Sequence, residues 1–277
     1  MTSPIGIFDS GYGGLTILRH IRALLPHYDY LYLGDNARAP YGTRSFDVVC
    51  AFTLQAVKAL FQLGCPLIII ACNTASAKAL RTIQQRHLPL MGDPLKRVLG
   101  IIRPTAEIIP TLTHTQHVGI LATPGTVNAQ SYNIEIQKQQ PAIVVTGQAC
   151  PLWVPLVENN ELDSPATHYL VDKNIRELLH ADPLIDTLLL ACTHYPLLLP
   201  VIQQHTPPHI RIITQGIHVA ESLRQYLHRH PDIEARCSKT HTLTYLTTED
   251  PDYFNVPAAR FMGAPVKAQH INIDNIS

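Results

Sequence analysis

The sequence predicts an α/β fold: two similar α/β domains with mostly parallel sheets, pseudo-symmetric about an interdomain site. Three observations predict it. Short apolar runs alternate with longer helical patterns along the chain, the β-α order of a parallel sheet. Most of these runs are continuous rather than alternating, as in strands buried on both faces. The first part of the chain is also echoed in the second. Ile5-Gly6-Ile7-Phe8 resembles Val118-Gly119-Ile120-Leu121, Gly34-Asp35 falls opposite Gly147-Gln148, and residues 67–72 (LIIIAC) resemble residues 188–192 (LLLAC).

In chain order the strand candidates are residues 5–8, 30–33, 67–71, 98–102, 118–121, 143–145, 188–191 and 210–213. A helix over 15–24 follows the first. Ser45 reads as the N-cap of a helix reaching Leu63, with Gly64 just past its end. Phe52, Ala56, Ala59, Leu60 and Leu63 form its apolar stripe. Ser164 caps a further helix to about His180, and residues 219–227 form another. The tail holds a β-prone run, 241–248, and a short helix over 250–261. It is too small for a third domain and is expected to pack on one of the two halves.

At 277 residues the chain has room for nearly two domains of about 150 residues. Hydrophobic residues make up 46% of it, which excludes a disordered chain. Its 21 basic and 21 acidic residues cancel, so no nucleic-acid or membrane-surface partner is expected. No apolar run reaches the roughly 18 residues of a membrane span, and the start lacks the pattern of a secretion signal. A cytoplasmic protein is the expectation. The six cysteines (50, 65, 72, 150, 192 and 237) include no CxxC pair, so free thiols are expected rather than disulfides or zinc. The 15 histidines form no HExxH or Cys/His cluster, and no metal is expected.

Ligands of open α/β folds bind at the carboxyl ends of the strands. Four strand-end segments carry polar groups. Asp9-Ser10-Gly11-Tyr12-Gly13-Gly14 opens a helix. It is neither a P-loop nor a dinucleotide fingerprint, because no Gly-Lys-Ser/Thr follows and Thr16 stands where a third Gly belongs. A helix cap and an anion site use the same amides, so both readings stand. The segment 34–42 (GDNARAPYG) offers an acid, an amide, a guanidinium and a phenol. Ala71-Cys72-Asn73-Thr74 and Ala191-Cys192-Thr193-His194 each place a cysteine at a strand end just before a helix, where a helix N-terminus lowers a thiol pKa. Two such thiols in equivalent places of two halves would face each other across one cleft. Inverting a stereocentre needs a base on one face and an acid on the other, and a thiolate and a thiol fulfil both roles. A hydrolase triad has no use for the second cysteine. Cys50, Cys65, Cys150 and Cys237 read as inert core or wall residues.

The stretches IGIFDSGYGGLTIL, GDNARAPYG, ACNTASAKAL, ACPLWVPLVE and ACTHYPLL, and the tail LTTEDPDYFNVPAARFMG, resemble the glutamate racemases of the cofactor-independent aspartate/glutamate racemase superfamily. The resemblance implies two domains, 1–97 plus 211–277 and 98–210, facing each other across a glutamate site. It implies Cys72 and Cys192 as catalytic acid/base residues, Cys192 acting on L-glutamate and Cys72 on D-glutamate. Asp9 would assist Cys72, while Glu158 and His194 would assist Cys192. Substrate contacts would come from Asp9, Ser10, Tyr41, Gly42, Asn73, Thr74, Thr193 and His194. The family uses no cofactor, and its D-glutamate enters peptidoglycan and so the bacterial cell wall. Glutamate is the implied small-molecule partner, and a homodimer is compatible with the resemblance. The chain departs from the family at Thr214-Gln215-Gly216, where Asp-Ser-Gly is common, at Asn36, where Thr is commoner, and at Ala39, where Val is. The rivals are an isomerase of aspartate or another small acid, and a binding protein that keeps the fold without turnover.

Overall fold

Continuous Ile, Leu and Val runs become the central strands of two sheets. The computed structural model describes residues 3–273. In chain order it has β1 (Ile5–Asp9), α1 (Gly14–Leu24), β2 (Tyr30–Gly34), α2 (Phe46–Gln62), β3 (Leu67–Ile70), α3 (Asn73–Thr82), β4 (Arg97–Gly100) and α4 (Ile102–Ile108). Then follow β5 (His117–Ala122), α5 (Pro124–Asn128), α6 (Ser131–Gln139), β6 (Val144–Ala149), α7 (Trp153–Glu158), α8 (Pro165–Ala181), β7 (Thr187–Leu190), α9 (Leu199–His205) and β8 (Arg211–Ile213). The chain ends with α10 (Gly216–Arg229), α11 (Pro231–Glu234), β9 (Leu243–Thr247), α12 (Pro251–Met262) and β10 (Ala268–His270).

One sheet has the order β10-β9-β2-β1-β3-β4 and the other β6-β5-β7-β8. All of their pairs are parallel. The internal echo is therefore architectural. β2-β1-β3-β4 in the first sheet corresponds to β6-β5-β7-β8 in the second. Gly6 pairs with Ile68 as Gly119 pairs with Leu188. Every residue of β1, β2, β3 and β7 is buried, as two-sided burial requires.

The expected domain boundaries differ from the strand pairing by one strand each. Residues 98–100, expected in the second domain, belong to β4, which pairs with β3. Residues 211–213, expected in the first, form β8, which pairs with β7. A boundary drawn at the start of an apolar run gives the strand to the segment that follows. Its hydrogen bonds give it to the sheet that precedes.

Caps explain several helix starts. The Ser45 hydroxyl accepts from Val48 N at 3.4 Å, and Ser164 from Thr167 N at 3.3 Å. α2 ends before Gly64, whose φ of +94° favours glycine. Its buried stripe runs through Val49, Thr53, Ala56, Val57 and Leu60, whereas Leu63, expected on that stripe, is exposed past the helix end. Leu15, Leu18 and Ile21 of α1 and Val219, Leu223 and Leu227 of α10 belong to one apolar cluster that also holds Leu188, Leu190 and Trp153. The core is thus continuous between the two halves. No helix among the described residues is long and apolar enough to cross a membrane.

The tail returns to the first sheet. β9 pairs with β2, and β10, a short polar edge strand, adds outside it. Asp29 anchors this return. Its carboxylate accepts from Thr240 N at 2.9 Å, Thr240 Oγ1 at 2.9 Å and Thr242 N at 2.8 Å. Burial works against the charge, but these donors outweigh it and hold the carboxyl well below its usual range. Its stabilising contribution is therefore fully present above about pH 4 and is lost as pH falls through the lowered value. Asp29→Asn should cost on the order of 3 kcal/mol at neutral pH. Thermal melts should show that loss shrinking in acid; a pH-independent loss would contradict the assignment.

Candidate active site

The parallel strands bring four polar segments to the carboxyl ends of β1, β2, β3 and β7. Both cysteine-bearing turns are built alike. Ala71 N donates to Phe8 O at 2.7 Å, and Ala191 N donates to Leu121 O at 2.9 Å. Each bond ties the residue before the cysteine to the neighbouring strand.

Cys72 is the N-cap of α3, and its sulfur accepts from Ala75 N at 3.4 Å. Ser10 Oγ lies 3.3 Å from the same sulfur. The sequence argument expects a thiol pKa lowered by the helix start. The structure reverses that. Burial pushes Cys72 up to about 12, with the nearby Asp9 charge adding to the rise, and the Ser10 and Ala75 hydrogen bonds offset only part. Cys192 adds a further, smaller upward push.

Cys192 differs locally. The expected helix does not begin directly after it; a 3-10 turn, Tyr195–Leu198, precedes α9. Proline at 196 and the tight Tyr195 N to Cys192 O bond of 3.1 Å set that turn. The help comes from side chains. His194 follows Cys192 by two residues, and its Nε2 lies 3.0 Å from Glu158 Oε1. Burial disfavours the imidazolium, but Cys192 and Glu158 together raise His194 to about 10. Phe261 of α12 meets the imidazole edge-on, centroids 5.0 Å apart.

Asp9 ends β1 and is buried. Its Oδ2 accepts from Gly11 N at 2.9 Å, and Oδ1 is buried without a hydrogen-bond partner. Burial raises its pKa to about 6, with His194 pulling back part of the rise.

The other expected contact residues divide. Thr193 O accepts from Thr16 Oγ1 at 3.0 Å. Thr74 Oγ1 lies 2.9 Å from Thr123 Oγ1. Asn73 Nδ2 donates to Gln215 Oε1 at 2.6 Å, and its Oδ1 accepts from Tyr132 OH at 2.6 Å. Gly42 O accepts from Gly125 N at 2.9 Å. Tyr41 is buried with its hydroxyl donating to Asp35, which Arg38 Nε also holds at 2.8 Å. The Tyr41 phenol is thus committed inside the protein, leaving the backbone of 41–42 as the face toward the second half. Sequence reasoning missed Thr16, Thr123, Tyr132, Gln215 and Phe261. It also missed why residue 13 is glycine. A Cβ there would sit 2.1 Å from Thr193 Oγ1 and 2.6 Å from His194 Nδ1. Among the described residues no group of three His, Cys, Asp or Glu side chains could hold a metal ion.

Residues 15–222 match the family described as Asp/Glu/Hydantoin racemase. The chain belongs to that family. It is an isomerase, an amino-acid racemase by membership. A glutamate racemase of Chlorobaculum parvum is 38% identical over 94% of this chain and 93% of its own length. The crystal structure of a glutamate racemase isoform from Bacillus anthracis has a TM-score of 0.87 at 30% identity, covering 98% of this chain and 97% of that one. A Francisella tularensis glutamate racemase in complex with D-glutamate has a TM-score of 0.87 at 29% identity, covering 99% and 98%.

Asp9 carries a testable cost of this architecture. Its pKa is raised on folding from about 4 to about 6. A raised carboxyl favours the protonated form, so the penalty is absent below pH 4, grows as pH rises through 6 and is full above it. Asp9→Asn keeps an acceptor for Gly11 N and removes the buried charge. It should raise the melting temperature at pH 8 and not at pH 4. A uniform loss at both pH values would show that burial does not burden this carboxylate.

Proposed function

We propose that the protein interconverts L- and D-glutamate by two-base proton transfer at the α-carbon. Cys72 and Cys192 act on opposite faces, and the chain works without a cofactor. The single observation behind this reading is the pair of buried strand-end thiols, set by equivalent strands of two sheets. Relatives that share nearly the whole chain support glutamate as the substrate, as does the bound D-glutamate of the Francisella protein.

The unequal surroundings of the two sulfurs support unequal roles. His194 is an imidazolium at neutral pH and supplies a counter-charge beside Cys192 when that sulfur acts as the base. Cys72 is a thiol under the same conditions. In the L-to-D direction the Cys192 thiolate takes the α-proton, and the Cys72 thiol delivers its own proton to the opposite face. Cys192 ends as the thiol and Cys72 as the thiolate. The reverse direction starts from that state. Asp9 assists on the Cys72 side: its nearby charge keeps Cys72 a thiol, ready to deliver its proton. Glu158 orients His194 and stabilises its charge. Ser10, Asn73, Thr74, Thr193 and the 41–42 backbone line the substrate side. Each sheet with its helices serves as one domain of the clamp. The reading carries with it a cytoplasmic enzyme whose D-glutamate supplies peptidoglycan synthesis.

Circular dichroism of L-glutamate incubated with the pure protein, with chelator present and pyridoxal phosphate absent, should fall to zero. L-Aspartate under the same conditions should keep its signal. Loss of the aspartate signal with glutamate unchanged would favour the rival isomerase, and activity that returns only with added metal would overturn the cofactor-free reading.

Single serine variants separate the two faces. A serine hydroxyl cannot serve as a resting base near neutral pH. Cys72→Ser and Cys192→Ser should each lose racemisation by on the order of 10²–10⁴ or more. A glutamate analogue with a β leaving group needs only one deprotonation before elimination. Cys72→Ser should still eliminate from the L-analogue, and Cys192→Ser from the D-analogue. Equal processing of both enantiomers by both variants would replace the two-base scheme with a single-site one.

A further inference from the structure

Gln215 is 2% exposed and lies at the start of α10, outside the cysteine turns. Its amide closes a ring of hydrogen bonds with two other side chains. Asn73 Nδ2 donates to Gln215 Oε1 at 2.6 Å, Gln215 Nε2 donates to Tyr132 OH at 2.6 Å, and Tyr132 OH donates to Asn73 Oδ1 at 2.6 Å. Every donor points the same way round the ring, so no amide can flip without breaking two bonds. Gln215 Nε2 also reaches Thr105 Oγ1 at 3.2 Å and Ile101 O at 3.3 Å. The ring therefore fixes Gln215 to α4, Tyr132 to Gln215, and the Asn73 amide plane to both. Asn73 is the residue after Cys72, and the second hydrogen on its Nδ2 takes no part in the ring.

We propose that Gln215 is a positioning residue for glutamate binding: by holding the Asn73 amide in one orientation, it presents the remaining Nδ2–H as a fixed donor to a carboxylate of the substrate. This rests on the reading of Asn73 as a substrate contact of a glutamate racemase. A buried polar ring is costly unless every member is satisfied. All three members are, and the ring joins an element of the first half, α3, to α6 of the second. Without Gln215, the Asn73 amide loses the partner of its Nδ2 and is held by Tyr132 alone through Oδ1, so the donor is less firmly pre-set for the ligand.

The test is steady-state racemisation in both directions by the full chain and the variants Gln215→Leu, Tyr132→Phe, Asn73→Ala and the double variant Gln215→Leu/Asn73→Ala. Gln215→Leu should raise KM for both enantiomers on the order of tenfold, the weight of one hydrogen bond to a charged group, with a smaller change in kcat and an unchanged pH profile. Tyr132→Phe removes the bond to Asn73 Oδ1 and one acceptor of Gln215 Nε2, but leaves Gln215 on Thr105, Ile101 and Asn73 Nδ2, and should shift KM the same way by less. In the Asn73→Ala background the Gln215→Leu effect on KM should vanish, because the residue acts through Asn73. A Gln215→Leu protein that melts lower with KM intact, or whose KM effect persists beside Asn73→Ala, would overturn the proposal while the parent's racemisation leaves the functional reading standing. If Gln215→Leu does not fold, Tyr132→Phe with unaltered KM overturns it. A parent that does not racemise glutamate overturns both.

Discussion

The cleft depends on burying ionisable groups where water cannot serve them. A charge taken from water costs free energy unless a partner or hydrogen bonds compensate. At the strand ends of this protein the compensation is uneven. Cys72 and Cys192 are each 6% exposed. The first has a hydroxyl, a backbone amide and an acid for neighbours. The second has an imidazole backed by a carboxylate. Equal burial with unequal neighbours is what distinguishes the two sites. The sheets make that possible, because parallel strands deliver their carboxyl ends, and so the cysteines, to one side of each half.

Closeness between the halves imposes a second constraint. Thr193 and His194 press on the backbone at Gly13, and Gly125 N bonds Gly42 O, where any side chain on Gly125 would meet that carbonyl at 2.8 Å. These glycines have no special conformation to satisfy, since Gly13 has a helical φ of −58°. They are small because another segment occupies the space of a side chain. The same packing carries Thr16 to Thr193 O and keeps the first turn of α1 against the His194 loop.

Most strands and several helix starts were legible because their signals are local. A run such as LIIIAC needs no knowledge of its partner to read as buried, and Ser45 and Ser164 cap the helices they precede. The repeat was legible for the same reason. What depends on tertiary pairing was not. β4 and β8 are edge strands whose sheet is decided by hydrogen bonds to β3 and β7, and β10 is the polar tripeptide AQH. The sign of the Cys72 shift was misread, because a helix start is visible in sequence and the depth of burial is not. The Tyr41 phenol turns inward to Asp35 only once the 35–41 loop has folded. The ring of Asn73, Tyr132 and Gln215 joins positions far apart in sequence, and the turn at 214–216 registered only as a departure from a pattern.

The two halves share a strand order and yet carry opposite charges to their thiols. Asp9 sits beneath Cys72 with a pKa of about 6, and His194 stands beside Cys192 with one of about 10. Between those values the first is an anion and the second a cation, and each is among the influences on the other, since His194 lowers Asp9. The pair thus holds a dipole across the cleft that neither half would support alone. A symmetric pair of carboxylates would push both thiols up and leave no base; a symmetric pair of imidazoliums would leave no acid. Duplicated architecture supplies two thiols at matched positions, and what surrounds them has diverged; the proposed proton transfer on two faces would draw on that difference.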